Sequence, residues 1–270
     1  MLRRSSAYLA ERGSPSPRLD AELLLGHALG LERIELYTQH DRPLTPEETR
    51  AARELIARRG RREPVAHLTG ARAFRNLALE AGPAALVPRP ETELLVERAL
   101  AHAPPGGAAL DWGTGSGAVA LALADEGPTL RVTALECSVE ALETARRNGA
   151  ALGLEVEWLQ SDGFASVTGR RFDLIVANPP YLSQTELEEA PPELAFEPAD
   201  ALVAGPTGLE ALERLVVEAP GHLESGGWLL AEIGARQGEP AGRLWREAGL
   251  AEVTVHADLA GLPRVVEGRA

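Results

Sequence analysis

The 270-residue sequence predicts an α/β domain behind a small helical one, and three observations carry that reading. From Glu91 onward short β-rich apolar runs alternate with helix-patterned segments, which argues a mainly parallel sheet with helices on both faces. The first eighty residues read as helices instead. The chain closes on two β-rich runs, 253–257 and 264–267, separated by a short Gly-Leu-Pro stretch. That spacing suits an antiparallel hairpin rather than another crossover helix. The domains divide at 82/83, with 1–82 helical and ending in a connector, and 83–270 holding the sheet.

Taken in order, Ser16 is placed to cap a helix opened by Pro17, and Leu19, Leu23, Leu24 and Ala28 supply its apolar side before Gly30 closes it. Thr45-Pro46-Glu47-Glu48 is a capping box that starts a second helix through Arg59. The run Arg58-Arg59-Gly60-Arg61-Arg62 reads as a solvated face, with partner contact the competing reading. Residues 64–88 mix Pro, Gly and short apolar runs, as a connector hairpin would. Strands are expected at 108–111, 130–136, 156–160, 172–177 and 228–233, with helices at 138–152 and 208–219 among them.

Composition narrows the function. With 44% hydrophobic residues the chain can bury a sizeable core. No signal-peptide core opens it and no apolar run reaches the length of a membrane span, so a cytoplasmic protein is expected. The single Cys137 cannot form an internal disulfide, and no Cys or His cluster has metal-ligand spacing, so no metal is expected. The net charge of −13 is uneven. Residues 1–82 carry 14 Arg against 11 acids, and residues 83–270 carry 13 Arg against 29 acids. So acidic a larger domain repels phosphate backbones and disfavours duplex binding.

The most informative string is Asn178-Pro179-Pro180-Tyr181, at the end of the strand 172–177. A rigid turn there can hold a side-chain amide and a backbone carbonyl beside a planar NH2 group. Chance would produce the tetrapeptide in about one chain in a thousand of this length. A second motif, Asp111-Trp112-Gly113-Thr114-Gly115-Ser116-Gly117, follows the first strand and opens a helix. Its glycines admit a ligand where a Cβ would collide, and the helix start offers free N–H groups. A purely structural tight turn is the competing reading. The spacing differs from the G-x-G-x-x-G of nicotinamide sites.

Glu136 ends the second strand and can accept both hydroxyls of a ribose, while Asp111 can meet an ammonium directly or through water. The pair suits a nucleoside carrying an amino acid, such as S-adenosylmethionine. After the third strand, Asp162 can accept from an adenine amino group and Phe164 can cover the ring; a capped turn with a core aromatic is the alternative. Asp111, Glu136, Asp162 and Asn178 would all lie at carboxyl ends of strands, where ligands gather in open α/β sheets.

Five segments resemble the release-factor glutamine methyltransferases: Val87 through Glu93, Asp111 through Gly117, Glu136-Cys137-Ser138, Asn178 through Tyr181, and Asp258 through Gly261. The resemblance covers nearly the whole chain. It implies a class I methyltransferase domain of Rossmann-like build behind a helical substrate-recognition domain. It further implies transfer of methyl from S-adenosylmethionine to the glutamine amide of the Gly-Gly-Gln tripeptide in class-1 peptide release factors. Asn178, Pro179, Pro180 and Tyr181 would then be catalytic and substrate-binding. The cofactor would be held by Asp111, Gly113, Thr114, Gly115, Ser116, Gly117, Glu136, Asp162, Phe164 and Asn178. Two positions depart from the family pattern: Glu136 stands where Asp is common, and Phe164 where Trp is frequent.

In the mechanism this implies, Asn178 Oδ1 and the Pro179 carbonyl accept the two amide N–H bonds, and Tyr181 packs on the amide plane. Glu186, Glu188 and Glu189 are expected on a loop, as an acidic rim for a basic substrate. The expected partner is a release factor, with no direct nucleic acid, no membrane and a monomeric enzyme. The tetrapeptide alone leaves other readings open: a ribosomal-protein glutamine methyltransferase, a DNA or RNA amino-methyltransferase, or a non-catalytic cofactor-binding module.

Overall fold

A computed structural model describes residues 1–270 and divides them into two compact units. The first is Met1–Ala71 with Pro191–Phe196, and the second Arg72–Ala190 with Glu197–Ala270.

The first unit holds α1 (Leu2–Glu11), α2 (Pro17–Leu29), α3 (Glu35–Thr38), α4 (Pro46–Gly60) and α5 (Val65–Thr69). Proline at the first position opens both α2 and α4, where its missing N–H costs nothing. Thr45 and Glu48 form the full capping box at α4, and Gly30 ends α2 at φ 62°, a conformation that glycine adopts freely. Ser16 makes no side-chain cap. Ser14 takes part instead, accepting from Ser16 N–H and donating to Asp20. Leu9, Ala21, Leu24, Ile56 and Leu68 form the core.

Arg59 corrects the reading of its run as a solvated face. It is 4% exposed and donates to Asp20 at 2.7 Å and to Glu193 at 3.0 Å, while Arg62 donates to Glu193 at 2.8 Å. Removing one partner of so buried an ion pair would leave a charge uncompensated, which is why the arginine cannot face solvent alone. Residues 191–196 thereby join the helical unit.

The second unit opens with the expected hairpin, β1 (Ala71–Phe74) and β2 (Leu77–Glu80). Phe74, Leu77 and Leu79 are buried in the core of this unit, and the Glu80 N–H donates to Asn148 Oδ1 at 2.7 Å. There follow α6 (Thr92–His102), β3 (Ala108–Trp112), α7 (Ala118–Glu126), β4 (Arg131–Glu136), α8 (Val139–Leu152), β5 (Glu157–Gln160) and β6 (Phe172–Ala177). After these come β7 (Leu182–Ser183), α9 (Gln184–Glu188), β8 (Val203–Gly205), α10 (Glu210–Glu218), β9 (Leu223–Glu232), α11 (Gly238–Glu247), β10 (Ala251–Ala257) and β11 (Pro263–Arg269).

The seven-stranded sheet runs β10-β11-β9-β6-β3-β4-β5. Strands β5, β4, β3, β6 and β9 are parallel, and β11 and β10 close it antiparallel. Side chains alternate across each strand. On β6, Leu174 and Val176 enter one core with Leu95, Leu121 and Leu123, while Ile175 and Ala177 enter the other with Leu212, Leu215 and Trp245. Both faces are therefore covered, as a parallel sheet requires. Chain order reverses at β3, which lies between β4 and β6, and the crevice at the carboxyl ends there is the place for a ligand. No helix is long and apolar enough to cross a membrane.

Candidate active site

A cavity of about 880 Å³ lies at that switch point. This volume is within the range of small-molecule and cofactor pockets. Asp111, Gly113, Thr114, Gly115 and Ser116 form one wall, Glu136 and Asp162 another, and Asn178, Pro179 and Pro180 a third. Gly113 and Gly115 have φ of 74° and 56°, and a Cβ at either would meet no atom within 4 Å. Their backbones thus border open space in which a ligand can lie close.

Gly117 differs. Its φ is 87°, but a Cβ there would sit 3.1 Å from Ala145 and from Trp158, and the residue is absent from the cavity wall. A side chain at this position would crowd the packing of α7.

Asp111 is 1% exposed, and its Oδ2 accepts from Thr114 Oγ1 at 2.6 Å and from Ala120 N–H at 3.1 Å. Burial pushes its carboxyl up to about 7 despite those hydrogen bonds, and the nearby Glu136 charge adds to the rise. The Oδ1 atom has no share in these bonds. Glu136 Oε2 accepts from Gly115 N–H at 2.8 Å and Oε1 from Ser138 N–H at 3.0 Å. Oε1 also accepts from the Cys137 thiol at 3.4 Å; these bonds fix the carboxylate, and Oε2 keeps a lone pair for a hydroxyl.

At the third wall, the Asn178 amide is held from one side only. Its Nδ2 donates to Thr92 Oγ1 at 3.2 Å, and its Oδ1 is buried with no partner. A buried carbonyl oxygen without a donor is costly, and such an atom calls for a function. Gln237 braces the turn beyond. Its Nε2 donates to the carbonyls of Tyr181 at 3.0 Å and Gly208 at 2.9 Å, and its Oε1 accepts from Gly234 N–H at 2.9 Å.

Two known sequence patterns match the chain. The model described as the PrmC N-terminal domain matches residues 1–70, and that of the methyltransferase small domain matches residues 90–205. A release factor glutamine methyltransferase of Geobacter sulfurreducens is 42% identical over 263 residues, covering 97% of this chain and 93% of the relative. Its counterpart in Xylella fastidiosa is 44% identical over 267 residues, covering 97% of each. The chain belongs to the release factor glutamine methyltransferase family. Among solved structures, a methyltransferase of Pyrococcus furiosus superposes with a TM-score of 0.58 at 22% identity, covering 79% of this chain and 98% of that one, a likeness of fold.

Phe164 and Tyr181 stand outside the cavity wall, and the acidic segment expected as a loop is helical. Phe164 is 4% exposed, stacks on His222 with ring centroids 4.7 Å apart, and lies in the core rather than on the cavity wall. The ring belongs to the buried apolar cluster that also holds Leu215 and Val216. Tyr181 also does not line the cavity. Its hydroxyl is pushed up to about 12, chiefly by burial, and a Cβ at Gly234 would lie 3.5 Å from its ring. The acidic segment after the tetrapeptide is helical, α9, because Ser183 and Glu186 form a capping box. That signal stands in the sequence as S-x-x-E, and it occupies Glu186 with Ser183 instead of leaving it on a rim.

Asp162 lines the cavity as expected, but Arg214 donates to it at 2.6 Å. The side chain of Asp162 is 81% exposed, so the pair is screened and its second oxygen stays open to solvent. Two acids of the site were not singled out in the sequence, Glu197 and Glu232. Glu232 closes β9 as Asp111 nearly closes β3, so the acid at a strand end was its signal. Glu197 follows a short 3-10 helix, Pro192–Phe196, and had none. No group of three or more His, Cys, Asp and Glu is placed to hold a metal.

Proposed function

We propose that this enzyme methylates the side-chain amide nitrogen of the glutamine in the Gly-Gly-Gln tripeptide of class-1 peptide chain release factors, with S-adenosylmethionine as donor and S-adenosylhomocysteine as product. The observation that carries the reading is Asn178 Oδ1, buried and unpartnered at the wall of the cavity that Gly113 and Gly115 open to a cofactor. Family membership over nearly the full chain supports it.

The cofactor, when bound, supplies an electrophilic methyl group. The residues of the chain supply position. An amide nitrogen is a poor nucleophile because its lone pair is delocalised into the carbonyl. Asn178 Oδ1 and the Pro179 carbonyl accept its two N–H bonds and turn the nitrogen to the methyl group, so orientation replaces a bimolecular search. Their partial negative charge also favours the positive charge that develops on nitrogen. Asp111 Oδ1 would accept from the cofactor's ammonium, and Glu136 from its ribose hydroxyls.

The helical unit grips the release factor away from the tripeptide, since three residues give little specificity. The enzyme acts in the cytoplasm, as a monomer and without nucleic acid, in keeping with the excess of acids over arginines in residues 83–270. The test is incubation with labelled S-adenosylmethionine and, separately, a release factor, its Gln→Ala tripeptide variant, a ribosomal protein and DNA. Label should enter the intact release factor alone. Label in DNA, or in the Gln→Ala variant at equal rate, would overturn the reading.

A further inference from the structure

Asn178 can serve this reaction only with its amide turned one way. Its oxygen accepts from the substrate NH2; rotated by half a turn it would present an NH2 group to an NH2 group. Nδ2 donates to Thr92 Oγ1 at 3.2 Å, and a hydroxyl that accepts still has its own proton to place. Thr92 is 3% exposed, and the carboxyl of Glu232, 1% exposed, lies near enough for the Thr92 hydroxyl to favour its ionised form. Ala177 pairs with Ala231 across β6 and β9, so Glu232 stands level with Asn178 on the adjoining strand. Thr92 and Asn178 are on the cavity wall and Glu232 is behind it, with Oε2 unpartnered.

We propose that Glu232 is a positioning residue for methyl transfer: its carboxylate draws the Thr92 O–H, Thr92 must then accept from Asn178 Nδ2, and Asn178 Oδ1 is left facing the substrate amide. The inference rests on Asn178 as the amide acceptor. Glu232 touches no reacting atom and acts through two hydrogen bonds.

Protonation reverses the relay. Burial pushes the Glu232 carboxyl up to about 7, against the opposing pull of Thr92. The groups that face it are Arg264 on β11, Glu91 and Arg89 on the segment entering α6, and the Tyr181 hydroxyl, which stays neutral. Of these, Arg264 and Arg89 favour the carboxylate and Glu91 opposes it. A protonated Glu232 can donate to Thr92 Oγ1, which frees the Thr92 proton to meet Asn178 Oδ1 and favours the unproductive rotamer. The productive enzyme is the one with Glu232 ionised, so the rate falls as pH drops below about 7.

The experiment is single-turnover methylation of a full-length release factor between pH 5.5 and 9, with cofactor and substrate saturating. Saturation removes any contribution of Asp111 through cofactor affinity. Wild type should gain up to ~tenfold per pH unit below 7 and level off above it. Glu232→Gln and Thr92→Val should be ~tenfold or more slower at pH 8, with no rise across pH 6–7 and with S-adenosylhomocysteine affinity near wild type. Thr92→Ser, which keeps the hydroxyl, should retain both rate and profile.

Folded Glu232→Gln with the wild-type rate and profile would overturn the relay. Should that variant fail to fold, equal behaviour of Thr92→Val and Thr92→Ser would overturn it instead. Asn178→Ala in the same series separates the two readings. If it keeps the wild-type rate, Asn178 is not the acceptor; if it alone is slow, only the relay fails.

Discussion

Glu197 accepts from Arg89 at 2.5 Å through Oε1 and from the Val87 backbone N–H at 2.9 Å through Oε2. The Glu197 side chain is 1% exposed and that of Arg89 is 30% exposed. Through this one carboxylate the segment around Pro88 is fastened to the segment around Pro198, and both segments line the cavity. It is a joint in the wall rather than a contact to ligand.

Glu197→Ala should therefore loosen the site without removing a ligand contact. It leaves a buried N–H unpaired and an arginine without its counter-charge, about 2 kcal/mol once the exposure of Arg89 is allowed for. Denaturant midpoints should fall accordingly and S-adenosylhomocysteine should bind more weakly. Arg89→Ala should cost less, because the carboxylate keeps its backbone donor. Equal stability of wild type and Glu197→Ala would show that the pair does not hold the wall.

The glycine turn separates fold from ligand within five residues. Gly115→Val meets no protein atom near the backbone, so its fold cost is the left-handed conformation alone, about 1–2 kcal/mol. The side chain instead enters the space proposed for cofactor, and calorimetry with S-adenosylhomocysteine should register no binding. Gly117→Ala meets Ala145 and Trp158 at 3.1 Å and should lower the unfolding midpoint, while the folded fraction binds the ligand as wild type does. Loss of binding in both, or in neither, would contradict this division.

The mainly parallel sheet, the closing hairpin and the strand-end acids were legible because each rests on local pattern. Alternating apolar runs fix which faces of β6 are buried, and Gly113 to Gly117 can follow a strand only as a tight turn. What was not legible depends on distant neighbours. Whether Phe164 covers a ligand or fills a core is decided by His222 and Leu215, which no spacing relates to it. The burial of Arg59 is set by Asp20 and Glu193, which no spacing in the arginine run relates to it. The compact units divide at 71/72 rather than at the expected 82/83, because Leu77 and Leu79 of the hairpin are buried in the core of the sheet-bearing unit.

Cofactor affinity should depend on pH through Asp111. Its carboxyl, ordinarily near 3.8, stands at about 7 in the free protein, so the folded state holds a proton that the unfolded chain has released. Its contribution to stability is complete below about 4 and is lost as pH rises through about 7. Binding a cationic ammonium favours the carboxylate, so affinity for S-adenosylhomocysteine should rise as pH rises toward 7 and level off above it. Calorimetry in buffers of different ionisation enthalpy should detect proton release near pH 6. Asp111→Asn should bind more weakly at pH 8 and flatten this dependence. A wild-type affinity that does not change between pH 5.5 and 8 would mean that Asp111 does not meet the ammonium.

The helical unit carries exposed apolar side chains on α2 and the approach to α3: Leu19, Leu23 and Ile34, with Ile34 67% exposed. Its arginines exceed its acids, unlike those of the rest of the chain. Remote binding energy can be spent on orienting the glutamine at Asn178, so the loss of that grip should appear with an intact release factor and vanish with a tripeptide-bearing peptide. Leu19→Glu combined with Ile34→Glu changes surface residues outside the Leu9, Leu24 and Ile56 core, so the fold should persist. Steady-state methylation of full-length release factor should then show KM raised about tenfold or more, equivalent to about 1.4 kcal/mol of lost binding, with kcat little changed. Rates on the peptide and affinity for S-adenosylhomocysteine should match wild type. If the double variant keeps the wild-type preference for full-length partner over peptide, this face does not recognise the substrate, and the specificity must come from residues around the cavity itself.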